Sequence, residues 1–322
     1  MKAVQIDSHG GPEALNYRDV PDPTPGSGEA VVDIQAVGVN FTDTYSRAGV
    51  NPVAALPWTC GVEAAGVVRS VGTGVTEVSP GDEVAFCTVP GTYAEQVLAP
   101  AWRLIKRPSG LDAKSGAAAI LQGMTAHYLC HSTYAVQKGD KVLVHAGAGG
   151  TGLLLTQMVK KLGGYVFSTV STEEKAELSR GAGADQVIIY TQQDFAEEIK
   201  KATNGEGVQV VYDSVGKTTF EQSLNSLGRR GHLGLYGAAS GPPADINPGI
   251  LGRGSLSLTR PGLGDYTTTR EELEKRSGDV LGWVKSGELK LRVEHVFQLS
   301  DAAEAHRQLE GRATTGKLLL IP

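Results

Sequence analysis

Six consecutive residues, Gly147-Ala148-Gly149-Gly150-Thr151-Gly152, carry the spacing GxGxxG, by which a backbone can close on a diphosphate. The spacing has chemical meaning only between a strand and a helix, and this chain supplies both. The apolar run Lys141-Val142-Leu143-Val144-His145 precedes it, and a helical run from Leu153 to Lys160 follows. In that context Gly147 permits the tight turn, Gly149 lets the diphosphate approach, and Gly152 lets the helix pack closely on the strand. Gly150 and Thr151 complete the turn, and the N–H groups and dipole at the helix start attract the anion. The plain alternative is a tight turn with no ligand.

A second feature bears on which dinucleotide. Sites for NAD usually place an Asp or Glu about 20 residues on, at the tip of the second strand, to bond the ribose 2′-OH. Here the tip reads Ser168-Thr169-Val170-Ser171-Thr172, with no acid, and Lys175 follows one turn later. A lysine ammonium there can meet a 2′-phosphate as a point charge. Glu173 and Glu174 lie close by, but at a helix start they can face solvent and favour the dipole. The expectation is NADPH in preference to NADH. The alternative for Lys175 is an ordinary solvated helix lysine.

These residues need a scaffold. At roughly 100–200 residues per domain, 322 residues suggest two domains. The first third reads as short strands, Lys2–Ile6, Ala30–Val39, Ala64–Val71, Asp82–Phe86 and Tyr93–Leu98, separated by turn clusters such as Pro21-Asp22-Pro23-Thr24-Pro25-Gly26. A compact β domain is the simplest reading. An apolar helix is expected over Ser115–Cys130. From Lys138 strands and helices alternate, with strands at Lys141–His145, Tyr165–Val170, Gln186–Tyr190, Val208–Tyr212, His232–Tyr236 and Ser255–Thr259. That alternation implies a doubly wound parallel sheet. After Pro261 comes a long helix, with Thr268 and Glu271 as a capping box, then a strand at Val293–Leu299, a helix at Asp301–Leu309 and a last strand at Lys317–Ile321. This tail has no room for its own core and is expected to return to the first domain.

The bulk numbers exclude several classes. Hydrophobic content of 40% and charged content of 20% are those of an ordinary globular protein. The net charge of −5, with no basic or aromatic-interleaved tract, argues against nucleic acid as the main partner. Three widely spaced cysteines, Cys60, Cys87 and Cys130, with no CxxC pair, argue against a disulfide framework or a structural zinc cluster. The N-terminus lacks the apolar core of a signal peptide, and no stretch reaches the roughly 20 apolar residues of a membrane helix. A cytoplasmic enzyme is expected.

Several stretches resemble the medium-chain dehydrogenase/reductases and, more closely, the quinone oxidoreductase (zeta-crystallin-like) family. They are His9-Gly10-Gly11-Pro12-Glu13-Ala14-Leu15, Gly38-Val39-Asn40-Phe41-Thr42-Asp43-Thr44-Tyr45, Gly61-Val62-Glu63-Ala64-Ala65-Gly66, Val211-Tyr212-Asp213-Ser214-Val215-Gly216 and Leu258-Thr259-Arg260-Pro261. The resemblance covers essentially the whole chain. The glycine signature fits from Gly139-Asp140 to Lys160 with one departure, Gly147, where the family usually has a small non-glycine residue. The implied fold class is α/β. A GroES-like β-rich catalytic domain spans 1–124, a Rossmann NADPH-binding domain spans 125–261, and 262–322 return to the first domain. The implied activity is NADPH-dependent reduction of a quinone, in a homodimer joined through edge strands, here Gly254–Thr259.

The zinc alcohol dehydrogenases of this superfamily use a Cys after the third strand and a His in a Gly-His-Glu turn. The matching positions here look like Asn40 and Val62, neither a competent zinc ligand, and the four-cysteine structural lobe is missing. Without a Lewis acid, hydride must pass to an acceptor already electron-poor, a quinone or an activated alkene.

The resemblance makes Asn40 and Tyr45 the catalytic candidates. An amide and a phenol can bond the carboxamide, the ribose or the acceptor oxygen, against a plain reading of a capped loop and a half-buried aromatic. For the cofactor, Thr125, Ser171, Lys175 and Tyr190 join the glycine turn, with Ser214, Tyr236, Ser240, Thr259 and Arg260 near later strand ends. Arg312 and Lys317 would close the site from the tail. His127, His131 and His145 form no obvious pair and read as structural or exposed. Two rival readings share the fold: an NADPH-dependent reductase of enals, enones or enoyl thioesters, and an NADPH-binding protein with a structural or RNA-binding role.

Overall fold

A computed structural model describes residues 1–312 and 314–322. The chain divides into two units, Met1–Met124 with Thr267–Pro322, and Thr125–Tyr266. The second unit thus runs five residues past the limit at 261 expected from sequence, and the division at 124/125 falls inside the helix Ala113–Tyr128.

The first unit is built on a seven-stranded sheet. Its path runs Val293–Gln298, Lys317–Ile321, Glu29–Val39, Glu63–Val71, Glu83–Cys87 and Ile105–Lys106, with Gln96–Pro100 also paired to Glu29–Val39. A three-stranded sheet of Asn16–Asp19, Lys2–Ile6 and Trp58–Thr59 completes it. Alternating apolar residues from these strands, among them Val32, Ile34, Phe86, Leu318 and Leu320, bury a common core. The last strand lies between Val293–Gln298 and Glu29–Val39. Its register sets Leu318 against Val39 and Leu320 against Val37, antiparallel. Continued by one residue, that register brings Lys317 to Asn40.

The second unit holds six parallel strands in the order Gln186–Ile189, Tyr165–Val170, Lys141–Val144, Val208–Asp213, Leu227–Leu235 and Ser257–Thr259. In chain order this is 3-2-1-4-5-6, the doubly wound arrangement expected from the sequence. The core gathers Leu143, Phe167, Ile188, Val211 and Leu233 from strands with Phe195, Ile199, Phe220 and Leu224 from helices.

Two local expectations shift. The strand expected from Ser255 begins at Ser257, because Gly254 and Ser255 both take left-handed backbone, with φ of 77° and 54°. The cap expected at Thr268 forms at Thr269, whose hydroxyl accepts from Glu272 N–H at 3.2 Å. Thr267-Thr268-Thr269 offers three equivalent hydroxyls. In the fold Thr267 Oγ1 accepts from Arg103 Nη1 at 3.2 Å and Thr268 Oγ1 donates to Glu272 Oε2 at 3.0 Å, which leaves Thr269 to cap.

Candidate functional site

In the second unit the glycine turn links Lys141–Val144 to the helix Gly150–Lys161. The left-handed residue of the turn is Ala146, with φ of 53°, and not Gly147. Gly147 answers a different constraint. A Cβ there would overlap Ser168 Oγ and lie 2.8 Å from Ser179 Oγ, and these two hydroxyls are bonded to each other at 2.7 Å. A Cβ on Gly152 would run into the carbonyl oxygen of Ala146, so Gly152 does permit the close approach of helix and strand. A Cβ on Gly149 would meet only that same oxygen, at 3.2 Å. No side chain caps the helix, so Gly149, Gly150, Thr151 and Gly152 begin it with bare backbone. That cradle fits an anion such as a dinucleotide diphosphate.

Because all six strands are parallel, their C-terminal ends share one edge of the sheet, and the turn opens on it. Ser171 follows Tyr165–Val170, Tyr190 follows Gln186–Ile189, Ser214 follows Val208–Asp213, Tyr236 follows Leu227–Leu235, and Arg260 follows Thr259. Parallel pairing therefore collects most of the expected cofactor residues. Thr172 caps the helix Glu173–Gly181 by accepting from Lys175 N–H, which places Lys175 in its first turn. Burial lowers the Lys175 ammonium, with Glu174 acting the other way. Some of these groups already have work inside the unit. Ser240 Oγ donates to Val215 O at 2.8 Å, Arg260 Nη1 donates to Leu235 O at 2.8 Å, and Tyr236 is bonded to Ser214. Thr125 is buried on the helix Ala113–Tyr128.

The histidines divide. His127 and His131, four residues apart, do come together, with ring centroids 4.3 Å apart, contrary to the sequence reading. The helix and the π turn Leu129–Thr133 that continues it put both on one face. His145 is buried between Thr169 Oγ1 at 2.8 Å and Ser223 Oγ at 3.0 Å, and Ser223 donates to Asp213 at 2.8 Å. Burial lowers its pKa, and it belongs to the core.

In the first unit Asn40 precedes the helix Phe41–Arg47, which carries Tyr45, half-buried with its ring 6.3 Å from that of Phe41. Asn40 is 5% exposed. Its Oδ1 accepts from Lys317 Nζ at 2.7 Å, and its Nδ2 donates to Glu63 Oε2 at 2.8 Å and to Gly38 O at 3.2 Å. Lys317, expected to close over the cofactor, directs its ammonium at Asn40 and Glu63 and is 2% exposed. Glu63 Oε1 accepts from Leu121 N–H at 2.6 Å, and Glu63 itself has no exposure. Gly38 makes the room, since a Cβ there would overlap Glu63 Oε2 and lie 2.8 Å from Lys317 Cε. Arg312, the other tail residue, takes left-handed backbone with φ of 56°.

A second buried network lies beside it. Arg47 grips Glu310 through Nη1 and Nη2 at 3.1 and 2.7 Å, and its Nη1 meets His306 Nδ1 at 2.9 Å. His306 Nε2 meets Tyr93 OH at 2.9 Å, and Tyr93 OH donates to Asp43 Oδ2 at 3.1 Å. Asp43 Oδ2 also accepts from Asn40 N–H at 2.8 Å, while Oδ1 is buried with no partner among the described residues. Burial pushes Asp43 up to about 7 and His306 down to about 3. Glu63, Asp43, Tyr93 and His306 were not among the sequence-derived site residues. One signal was present for Glu63: it opens the apolar run Glu63–Val68, and Lys317 is the lone charge of its own strand, opposite charges of the kind that are buried as a pair.

The comparisons agree with this architecture. A model described as an alcohol dehydrogenase GroES-like domain matches residues 26–109, and one described as a zinc-binding dehydrogenase matches 182–320. A quinone oxidoreductase of Pseudomonas aeruginosa is 42% identical, over 100% of this chain and 99% of its own. A 2-haloacrylate reductase of a Burkholderia species is 44% identical with the same coverage. The crystal structure of the Escherichia coli quinone oxidoreductase, complexed with NADPH, superposes with a TM-score of 0.98 at 41% identity and full coverage of both chains.

Two outcomes test this geometry. Gly147→Ala should destabilise the protein by about 1–3 kcal/mol in denaturant unfolding, because it overfills a packed space. Adding Ser168→Gly should restore most of the loss, and failure to do so would place the strain elsewhere. For Asp43, a carboxyl raised in the folded state binds more protons than in the unfolded chain, so stability should fall as pH rises from its ordinary value of 3.8 to about 7. Asp43→Asn should remove that slope, measured as unfolding midpoints at several pH values across the window.

Proposed function

The chain belongs to the quinone oxidoreductase family of the medium-chain dehydrogenase/reductases, and on that premise we propose that it is an NADPH:quinone oxidoreductase that works without zinc. The coarser part of this reading, an NADPH-dependent oxidoreductase, draws support from the glycine cradle and from the NADPH complex of the Escherichia coli relative. When bound, NADPH supplies the hydride. Gly149, Gly150, Thr151 and Gly152 would hold the diphosphate at the helix start, and Lys175, in the first turn of Glu173–Gly181, would meet the 2′-phosphate. Tyr190, Ser171, Ser214, Tyr236, Ser240, Thr259 and Arg260, with Thr125 and Arg312, complete the nucleotide site, and Asn40 and Tyr45 serve its nicotinamide end.

One observation carries the zinc-free part. At the position where zinc dehydrogenases of the superfamily place a thiolate stands Asn40, and its oxygen already faces an ammonium at 2.7 Å. An amide oxygen already facing one cation is a poor ligand for a second, because the two positive charges repel. Cys60 adds no thiolate, because burial pushes its thiol well above the ordinary range. With no metal to polarise a carbonyl, the acceptor must itself be electron-poor, which a quinone is. The segment that resembles a zinc-binding dehydrogenase, 182–320, does not include Asn40 or Val62.

A second reading, reduction of an activated alkene, is favoured by the Burkholderia 2-haloacrylate reductase at 44% identity. We also propose a cytoplasmic homodimer that pairs through the edge strand Ser257–Thr259, which ends the six-stranded sheet. Among the described residues, no helix is long and apolar enough to cross a membrane.

Steady-state kinetics over a panel of acceptors separates the readings. kcat/KM for ortho- or para-quinones should exceed that for enals, enones and 2-haloacrylate by at least about tenfold, a difference of about 1.4 kcal/mol in the barrier. NADPH should be preferred to NADH by a similar factor, and Lys175→Ala should shrink that preference. Equal efficiency with both cofactors would remove the role given to Lys175. A reversed acceptor order would establish the alkene reading, and stoichiometric zinc by metal analysis would end the zinc-free one.

A further inference from the structure

The amide of Asn40 is held in one orientation by groups that cannot exchange roles. A lysine ammonium has only protons to give, and an ionised carboxylate can only accept. Lys317 Nζ at 2.7 Å must therefore face the oxygen of Asn40, and Glu63 Oε2 at 2.8 Å must face its nitrogen. The second N–H of that nitrogen goes to Gly38 O at 3.2 Å. Both donors of Asn40 are thus consumed inside the unit. The Asp43 N–H closes on the main-chain oxygen of Asn40 at 3.1 Å. The arrangement is built and not incidental. Glu63 is held at its other oxygen by Leu121 N–H and at its own N–H by Thr92 Oγ1, at 2.6 and 3.2 Å, and Gly38 leaves the space the pair occupies.

We propose that Lys317 and Glu63 are positioning residues that hold Asn40 as an acceptor-only group. The ligand atom that Asn40 meets is then a hydrogen-bond donor on the nicotinamide nucleoside, an amide N–H or a ribose hydroxyl. It is not the carbonyl oxygen of the substrate, which would need a donor that Asn40 no longer has. This rests on the proposed placement of Asn40 at the nicotinamide end. It narrows the choice that the residue type leaves open, and it removes Asn40 as a stabiliser of negative charge on the acceptor oxygen.

Binding of NADPH, followed by its fluorescence on titration, tests the proposal without turnover. Asn40→Ala should weaken the Kd for NADPH by about tenfold, the scale of one lost hydrogen bond. The same titration with the 3-acetylpyridine analogue, whose ketone methyl replaces the amide nitrogen, distinguishes the donors. If the amide N–H is the donor, the analogue binds wild type and Asn40→Ala alike. If a ribose hydroxyl is the donor, the loss persists with the analogue. Glu63→Gln, which keeps the shape but lets either end of its amide face Asn40, should weaken NADPH in the same direction. The double variant Lys317→Met with Glu63→Gln, which removes both charges together, should do the same, and neither should add much to Asn40→Ala. An unchanged Kd in Asn40→Ala, or a rise only in the KM for the acceptor, would overturn the proposal. Full additivity of Glu63→Gln and Asn40→Ala would overturn the positioning role. Failure of the quinone panel leaves these titrations readable, so the two readings fail separately.

Discussion

Two opposite charges withdrawn from water set the terms for the first unit. Lys317 and Glu63 have exposures of 2% and 0%, and either one alone would be a buried charge without compensation. Holding them together requires four segments at once. The strand Glu63–Val71 brings the carboxylate, the terminal strand Lys317–Ile321 brings the ammonium, the end of Glu29–Val39 brings Gly38 and Asn40, and the helix Ala113–Tyr128 brings the Leu121 N–H. The return of the tail to the first unit is thus a condition for burying Glu63 at all. Asn40 inherits its orientation from that condition.

The neighbouring network has a direction for a similar reason. Arg47 can only donate, so His306 Nδ1 must accept from it, Nε2 must carry the proton and donate to the Tyr93 oxygen, and the Tyr93 hydroxyl must donate its hydrogen bond to Asp43. The depressed pKa of His306 keeps the ring neutral, which this order needs. The chain of donors ends on a carboxyl that also accepts from the backbone of Asn40. Two buried networks therefore converge on one residue, one through its side chain and one through its N–H.

The second unit solves a simpler problem. Parallel strands place every C-terminal end on one edge, and the first loop there is made of glycines because the helix and strand leave no room for a Cβ at Gly152. At Gly147 the same turn carries a compensation. The space that a small side chain would fill is taken by the Ser168 and Ser179 hydroxyls. Gly147 is where the sequence departs from the family pattern, and its explanation lies 21 residues away along the chain, on the next strand.

Periodicity and punctuation are local, so the chain by itself determined the strand–turn–helix around Gly147–Gly152, the six-strand alternation and the absence of an acid after the second strand. Its resemblance to the superfamily also singled out Asn40 and Val62 as the positions to compare with zinc ligands. Where three threonines competed for one cap, or a left-handed pair cut a strand short, local pattern lacked the deciding contact. The partner of Glu63, the orientation of the Asn40 amide and the filling of the space at Gly147 were settled only in three dimensions. Each depends on which group stands opposite in space, and for Asn40 that group, Lys317, lies 277 residues away and arrives by a strand register that no local pattern encodes.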